Sequence, residues 1–138
     1  MVIVDDHIAL LAIAGAPPAE LPDGPVVTTY SFHFRLVRAV VDEAADGALS
    51  RRVSDPALAV RRVIHPPADR LLVLDPRTST AEAAQVGFNH GANLLLAELV
   101  GAALRHGAAI RMSEGNVGRA WPAVMTAESV DFAVLAID

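Results

Sequence analysis

The stretch VIVDDHIALL, residues 2–11, places an apolar run directly before two adjacent acids and the start of an apolar helical pattern. The apolar run predicts a strand, and the residues after the acids predict a short helix from His7 to Ala14 that Gly15 ends. A strand that delivers carboxylates to the carboxyl edge of a sheet is one way in which α/β proteins bind a divalent cation. Asp5 and Asp6 therefore predict an acidic site and raise the question of which other acids complete it.

The length and composition of the chain predict one folded domain. The chain has 138 residues, of which 53% are hydrophobic, and this is enough for one sizeable core. Its mean hydropathy is +0.40. We therefore expect a single domain over residues 1–138. No apolar run approaches the roughly 20 residues that a membrane span needs. Because Asp5 and Asp6 interrupt the N-terminus where a signal peptide has positive charge and then apolar residues, we expect a cytoplasmic protein.

Two residue types are missing, and each absence excludes a class of chemistry. The chain has no cysteine, which excludes disulfides, thiolate metal sites and cysteine nucleophiles. All 11 basic residues are arginine, so a Walker-type phosphate loop and a Schiff-base mechanism are excluded. The net charge of −5 argues against nonspecific nucleic-acid binding as the main role. It does not exclude a nuclease, because a metal site is acidic until the cation binds.

Strand-like and helix-like segments alternate along the rest of the chain. Further strands are predicted at residues 25–29, 70–74, 109–113 and 130–137. Helices are predicted at residues 31–45 with Ser31 as N-cap, from Pro56 to the His65-Pro66-Pro67 stop, from Ser79 or Thr80 to about residue 86, at 92–106 and at 120–127. On the helix over 31–45, apolar residues recur at helical spacing at Phe34, Val37, Val41 and Ala44. This alternation predicts a three-layer α/β sandwich with a mainly parallel central sheet.

The candidate site residues follow from this topology. Ligands of parallel sheets bind beyond the carboxyl ends of the strands. Asp5, Asp6, Asp75, Ser113 and Glu114 all lie at such ends.

Two families have a first strand of this kind. The sequence Val4-Asp5-Asp6-His7 resembles the first strand of response-regulator receiver domains, in which paired acids hold Mg²⁺, and Leu71 to Pro76 resembles a phospho-acceptor strand. The receiver pattern needs a lysine after a later strand, and this chain has none. Asp75 also comes later in the chain than the phospho-acceptor of that family. A receiver-like signalling domain is therefore the less favoured interpretation.

The second resemblance covers most of the chain and is to PIN-domain proteins of the VapC toxin type. The apolar strand that ends at Asp5 resembles the first strand of that family. The segment 26–36 resembles the second strand with the helix that follows it, and 93–116 resembles the long apolar helix, the next strand and its polar turn. Residues 130–134 resemble the closing strand. The resemblance implies a PIN-like fold, a Mg²⁺- or Mn²⁺-dependent ribonuclease site, an RNA substrate, an antitoxin-like partner protein and a homodimer.

Compared with the family pattern, the acidic site of this chain is incomplete. Asp5 matches the first carboxylate and Glu114 lies in the turn where the family has Asp or Asn, so these two residues are the implied metal ligands, with Asp6 as a third candidate. Phe34 or Arg35 occupies the position of the second-helix Glu. The acid of the last long helix is missing as well: Asn93 or Leu96 takes its place, and Glu98 lies about 140° or 200° around the helix from these positions, which predicts that it faces away from the site.

Two functional interpretations remain open from the sequence. In the first, Asp5, Glu114 and Asp6 hold a weakly bound, hydrated Mg²⁺ and the protein is a ribonuclease, with the arginine pairs 51–52 and 61–62 steering RNA. In the second, the site no longer binds metal, Arg35 supplies positive charge to Asp5, and the protein is a non-catalytic binding or dimerisation module. Asn93, Arg35 and Ser113 are further candidate site positions.

Overall fold

The structure is a computed structural model that describes residues 1–137; Asp138, the last residue of the predicted domain, lies outside the described residues. Five strands, β1 to β5, span Val2–Val4, Val26–Thr28, Leu71–Val73, Ala109–Ser113 and Phe132–Leu135. The helices α1 to α6 span Asp6–Ile13, Tyr30–Ala45, Pro56–Ile64, Thr80–His90, Leu94–His106 and Trp121–Ala127. Short 3₁₀ turns lie at Leu49–Arg51, Pro76–Ser79 and Glu114–Asn116.

All four strand pairings are parallel, and the strand order is β3-β2-β1-β4-β5. Strands β2 and β3 are added in turn on one side of β1, and β4 and β5 are then added on its other side. Adjacent parallel strands need a crossover connection, and helices supply it here. The point where the strand order reverses therefore lies between β1 and β4, with Val4 opposite Arg111.

The sheet separates two apolar layers, as expected for strands that are buried on both faces. Ile3 belongs to the core formed with α4, α5 and α6, whereas the next residue, Val4, belongs to the core formed with α1, α2 and α3. Val27 and Val26 are divided between the two cores in the same way. This alternation follows from the two-residue period of a strand. The predicted α/β three-layer sandwich with a parallel sheet is confirmed.

Polar side chains cap four of the helices, and two of these caps differ from the sequence predictions. Asp5 accepts a hydrogen bond from the backbone N–H of Ile8, so α1 begins at Asp6 rather than at His7. Thr29 caps α2, which begins at Tyr30, so Ser31 is a residue of the first turn and not the N-cap. Asp55 and Asn93 cap α3 and α5.

The buried face of α2 also differs from the apolar spacing noted in its sequence. Phe32, Leu36 and Val40 are buried, whereas Phe34 and Val41 are 54% and 44% exposed. Both sets of residues have helical spacing, so spacing alone does not distinguish the core face from the exposed face. No helix within residues 1–137 has the length and apolarity needed to cross a membrane.

Candidate functional site

The candidate site lies at the carboxyl edge of the sheet, at the point where the strand order reverses. Asp5 follows the last residue of β1, and Ser113 is the last residue of β4, the neighbouring strand. On the other side of β1, Thr28 ends β2 and donates its hydroxyl to the carbonyl oxygen of Val4 at 2.7 Å. The topology therefore brings together residues more than a hundred positions apart at the place where α/β sheets usually bind ligands.

Asp5 is completely buried, and both of its carboxylate oxygens accept hydrogen bonds from protein donors. Oδ1 accepts from the backbone N–H of Ile8 at 2.9 Å. Oδ2 accepts from the backbone N–H and the hydroxyl of Ser113, at 2.9 and 2.5 Å, and from the side-chain amide of Asn116 at 2.9 Å. A carboxylate has about four acceptor positions. Three of the four donors converge on Oδ2, so this oxygen is fully engaged by the protein, whereas Oδ1 keeps one acceptor position.

Asn116 and Arg35 connect Asp5 to Asp6. Asn116 Nδ2 donates to Asp6 Oδ1 at 2.7 Å as well as to Asp5. Arg35 Nη2 donates to Asn116 Oδ1 at 3.2 Å, and Arg35 Nε lies 3.3 Å from Asp6 Oδ2. The amide of Asn116 thus has its oxygen towards the guanidinium and its nitrogen towards both carboxylates. Asp5, Asp6, Asn116 and Arg35, together with Ser113, are called the Asp5 network below.

Burial raises the pKa of the Asp6 carboxyl above its ordinary value, against the opposing effect of Arg35. The negative charge of Asp5 raises the pKa further, whereas the hydrogen bonds from Asn116 and the backbone of His7 lower it. The Asp6 side chain is 16% exposed and Arg35 is 44% exposed, so the open side of the network is the side of the guanidinium.

The start of α2 fixes the position of Arg35. The guanidinium carbon lies 5.6 Å from the centre of the Phe32 ring, a cation–π arrangement. One turn before Arg35, Ser31 donates its backbone N–H to Glu98 Oε1 at 3.2 Å and its hydroxyl to Glu98 Oε2. Glu98 on α5 therefore satisfies a free N–H of the first turn of α2.

The structure places the other candidate residues outside the Asp5 network. Glu114 is exposed at the first position of the 3₁₀ turn, and Asn93 caps α5 through the backbone N–H of Leu96 at 3.0 Å. Glu98 is only 6% exposed; it faces the first turn of α2 and has no hydrogen bond to the network. Asp75 is on the surface, where hydrogen bonds from Arg77 lower its pKa to about 2.

The prediction that Arg35 supplies positive charge to Asp5 requires a correction. Its guanidinium contacts Asp6 and Asn116, and it reaches Asp5 only through the Asn116 amide. Asn116 itself was not among the predicted site residues. It lies three residues after Ser113, and this is the signal in the sequence that was available, because a 3₁₀ turn brings positions three apart onto one face.

The residues of the Asp5 network do not fit a bound Mg²⁺ or Mn²⁺. Such ions need several oxygen ligands, usually from more than one carboxylate. Asp5 has its oxygens occupied by internal donors, and Asp6 faces a guanidinium. Among the residues that the structure describes, no three His, Cys, Asp or Glu side chains are grouped closely enough to hold a metal ion.

The fold and this polar edge define an α/β protein with a five-stranded parallel sheet and an aspartate at its switch point. The chain is similar in fold to a chain of VapBC-1 from nontypeable Haemophilus influenzae, with a TM-score of 0.56 and 16% sequence identity over 97% of this chain and 98% of that chain. The fold is therefore PIN-like, as the sequence predicted. No protein-family model and no curated protein matches the sequence.

Proposed function

We propose that this protein is a PIN-like domain of the toxin–antitoxin type that acts by binding another protein and not by metal-dependent RNA hydrolysis. One observation carries the proposal: the buried Asp5 carboxylate accepts four hydrogen bonds from the protein itself. Hydrolysis by this class of site needs a metal-bound water, and a buried carboxylate whose charge is already stabilised by four internal donors is a poor metal ligand.

The proposed binding partner is an antitoxin-like protein, which is supported by the VapBC neighbour. A surface beside the Asp5 network has the composition expected of a protein contact. Tyr30, Phe34 and Leu94 are 52%, 54% and 72% exposed and surround a depression of about 420 Å³. Exposed aromatic and aliphatic residues grouped in this way are typical of interaction surfaces.

A metal-dependent ribonuclease is the second candidate function, and one observation favours it. Asp6 and Asn116 line a depression of about 340 Å³ that is open to solvent, together with His7, Leu10, Leu36, Ser113 and Gly115. In that function Asp5, Glu114 and Asp6 would hold a heavily hydrated Mg²⁺, which would supply the attacking water.

An RNA-cleavage assay on the purified full chain separates the two functions. The protein is incubated with structured and single-stranded RNA in millimolar Mn²⁺, with parallel samples in excess chelator. The proposal predicts no cleavage above the protein-free control in either condition. Cleavage that requires Mn²⁺ and is lost in chelator overturns it in favour of the ribonuclease.

A further inference from the structure

We propose that the Arg35 guanidinium takes the place of a divalent cation as the positive charge of the site, and that Asn116 relays this charge to Asp5. The inference deepens the proposed function and rests on its assignment of the Asp5 network as non-hydrolytic. It gives the network a built-in counter-ion, so that its two carboxylates are stabilised without a metal.

The two acids of the network require a positive charge beside them. Asp5 is fully buried and Asp6 is mostly buried, and they are consecutive residues. Two carboxylates so close together repel each other and need a compensating positive charge. Within residues 1–137, the ion pair to this acidic pair is the one between Arg35 and Asp6.

The orientation of the Asn116 amide supports a relay of charge from Arg35 to Asp5. Its carbonyl oxygen accepts from the Arg35 guanidinium, while its Nδ2 donates to Asp5 Oδ2 and Asp6 Oδ1. The amide dipole is therefore aligned between the positive charge and both negative charges. Hydrogen bonds arranged in a chain of this kind polarise and strengthen one another.

The Arg35 guanidinium is held at this position by its own helix. Phe32 lies below it, and the first turn of α2 is fixed by the cap from Thr29 and by Glu98 through Ser31. A divalent cation at Asp6 would have to displace a pre-positioned guanidinium and compete with the Asn116 amide.

The experiment measures the thermal stability of the full chain as Mn²⁺ is added to 10 mM. For the unmodified protein the inference predicts no Mn²⁺-dependent rise in Tm. Arg35→Glu removes the guanidinium and adds a third carboxylate. Addition of 10 mM Mn²⁺ is therefore expected to raise the Tm of this variant by about 4 °C, the effect of a dissociation constant near 1 mM. Arg35→Gln leaves Asp5 and Asp6 without a counter-ion, and Mn²⁺ is expected to raise its Tm by a smaller amount.

Arg38 supplies the matched controls. It lies on the same helix, its side chain is 73% exposed, and its acidic neighbour is Asp42, outside the network. Arg38→Glu and Arg38→Gln are expected to leave the Mn²⁺ response unchanged. If Arg35→Glu does not fold, Arg35→Gln against Arg38→Gln decides the outcome.

Two results overturn the inference: a Mn²⁺-dependent rise in the unmodified protein, or folded Arg35 variants that respond no more than the Arg38 variants. These results are distinct from failure of the proposed function, which is overturned by Mn²⁺-dependent RNA cleavage.

Discussion

At the scale of single residues, Asp5 has the contacts of a structural residue. A buried carboxylate with four donors is stabilised by all of them, and it also caps α1, where the helix dipole favours a negative charge. A carboxylate kept for metal binding is usually destabilising in the absence of the metal, because its charge is then unpaired. Substitution of Asp5 is therefore expected to lower stability if the residue is structural, and to raise it if the residue is an unpaired metal ligand.

Asp5→Asn is expected to lower the free energy of unfolding by about 2–4 kcal/mol. The side-chain NH₂ that replaces one carboxylate oxygen faces hydrogen-bond donors, among them the Ser113 N–H and the Asn116 amide. At least one buried hydrogen bond is therefore lost. Urea denaturation measures the change, and Asp23→Asn, in an exposed loop position, controls for the loss of one negative charge. A gain in stability from Asp5→Asn would contradict the structural role.

Asp6 gives a prediction for the effect of pH, because its pKa is raised in the folded protein. Between the ordinary carboxyl pKa and this raised value, the folded state binds more protons than the unfolded state, so the contribution of Asp6 to stability falls as pH rises. Asp6→Asn removes this dependence. The difference in unfolding free energy, variant minus unmodified protein, is therefore expected to increase with pH across that window and then to level off.

This difference is measured by urea denaturation of the unmodified protein and of Asp6→Asn. The pH values start at 3.5 and increase in steps of about half a unit. Asp23→Asn is again the control and is expected to have no such window. A difference that decreases as pH rises would show that the Arg35 pair, rather than burial, dominates at Asp6.

Four of the five residues of the Asp5 network had been named from the sequence as candidate site positions, because topology or pattern identifies each of them. Asp5 and Asp6 follow an apolar strand, Ser113 ends another, and Arg35 occupies a position where a carboxylate was expected. Asn116 was not predicted, since its spacing of three residues from Ser113 places it beside Asp5 through a 3₁₀ turn that the sequence analysis did not assign. Glu114 was named because it lies in the turn where the resembled family has Asp or Asn, but it is exposed in the structure.

At the scale of elements, local signals predicted the existence of helices better than their starts and faces. The Asp55-Pro56 start of α3 and the glycine end of α5 were predicted because capping residues and glycine act locally. The cap of α2 was assigned to Ser31 instead of Thr29, because both residues are good caps and the contact of Ser31 with Glu98 is tertiary. Helix α4 was predicted to end near residue 86, whereas it continues to His90 and ends at Gly91 in the left-handed conformation, a local glycine signal that the prediction did not use.

The pairing of α4 with α5 gives the prediction at this scale. A Cβ atom at Gly101 would lie 2.5 Å from the backbone nitrogen and 2.7 Å from the Cα of Ala83. Because backbone atoms must move to make room, Gly101→Ala is expected to lower the free energy of unfolding by about 1–3 kcal/mol, despite the higher helix propensity of alanine.

Gly87→Ala is the matched control on α4. There the new Cβ would have ordinary contacts, 3.7 Å from the carbonyl oxygen of Ala92 and 3.9 Å from the Cβ of Ala97. This variant is expected to be neutral or more stable by up to about 1 kcal/mol. Equal effects of the two substitutions in thermal denaturation would argue against the close α4–α5 approach.

At the scale of the whole molecule, the fold class was predictable because alternating strands and helices leave few arrangements other than a parallel sheet with helices on both faces. The strand order was not predicted, since it depends on which crossovers turn back across β1. That order brings Ser113 and Asn116 to Asp5 and makes the network complete. The contacts that surround Asp5 therefore come from distant parts of the chain.

If the Asp5 network is complete without a metal ion, isothermal titration calorimetry of Mn²⁺ into the unmodified protein shows no saturable heat up to millimolar Mn²⁺. Saturable binding at or below about 1 mM that is lost on Asp6→Asn would contradict it, because it would mean that a divalent cation displaces Arg35 from this site.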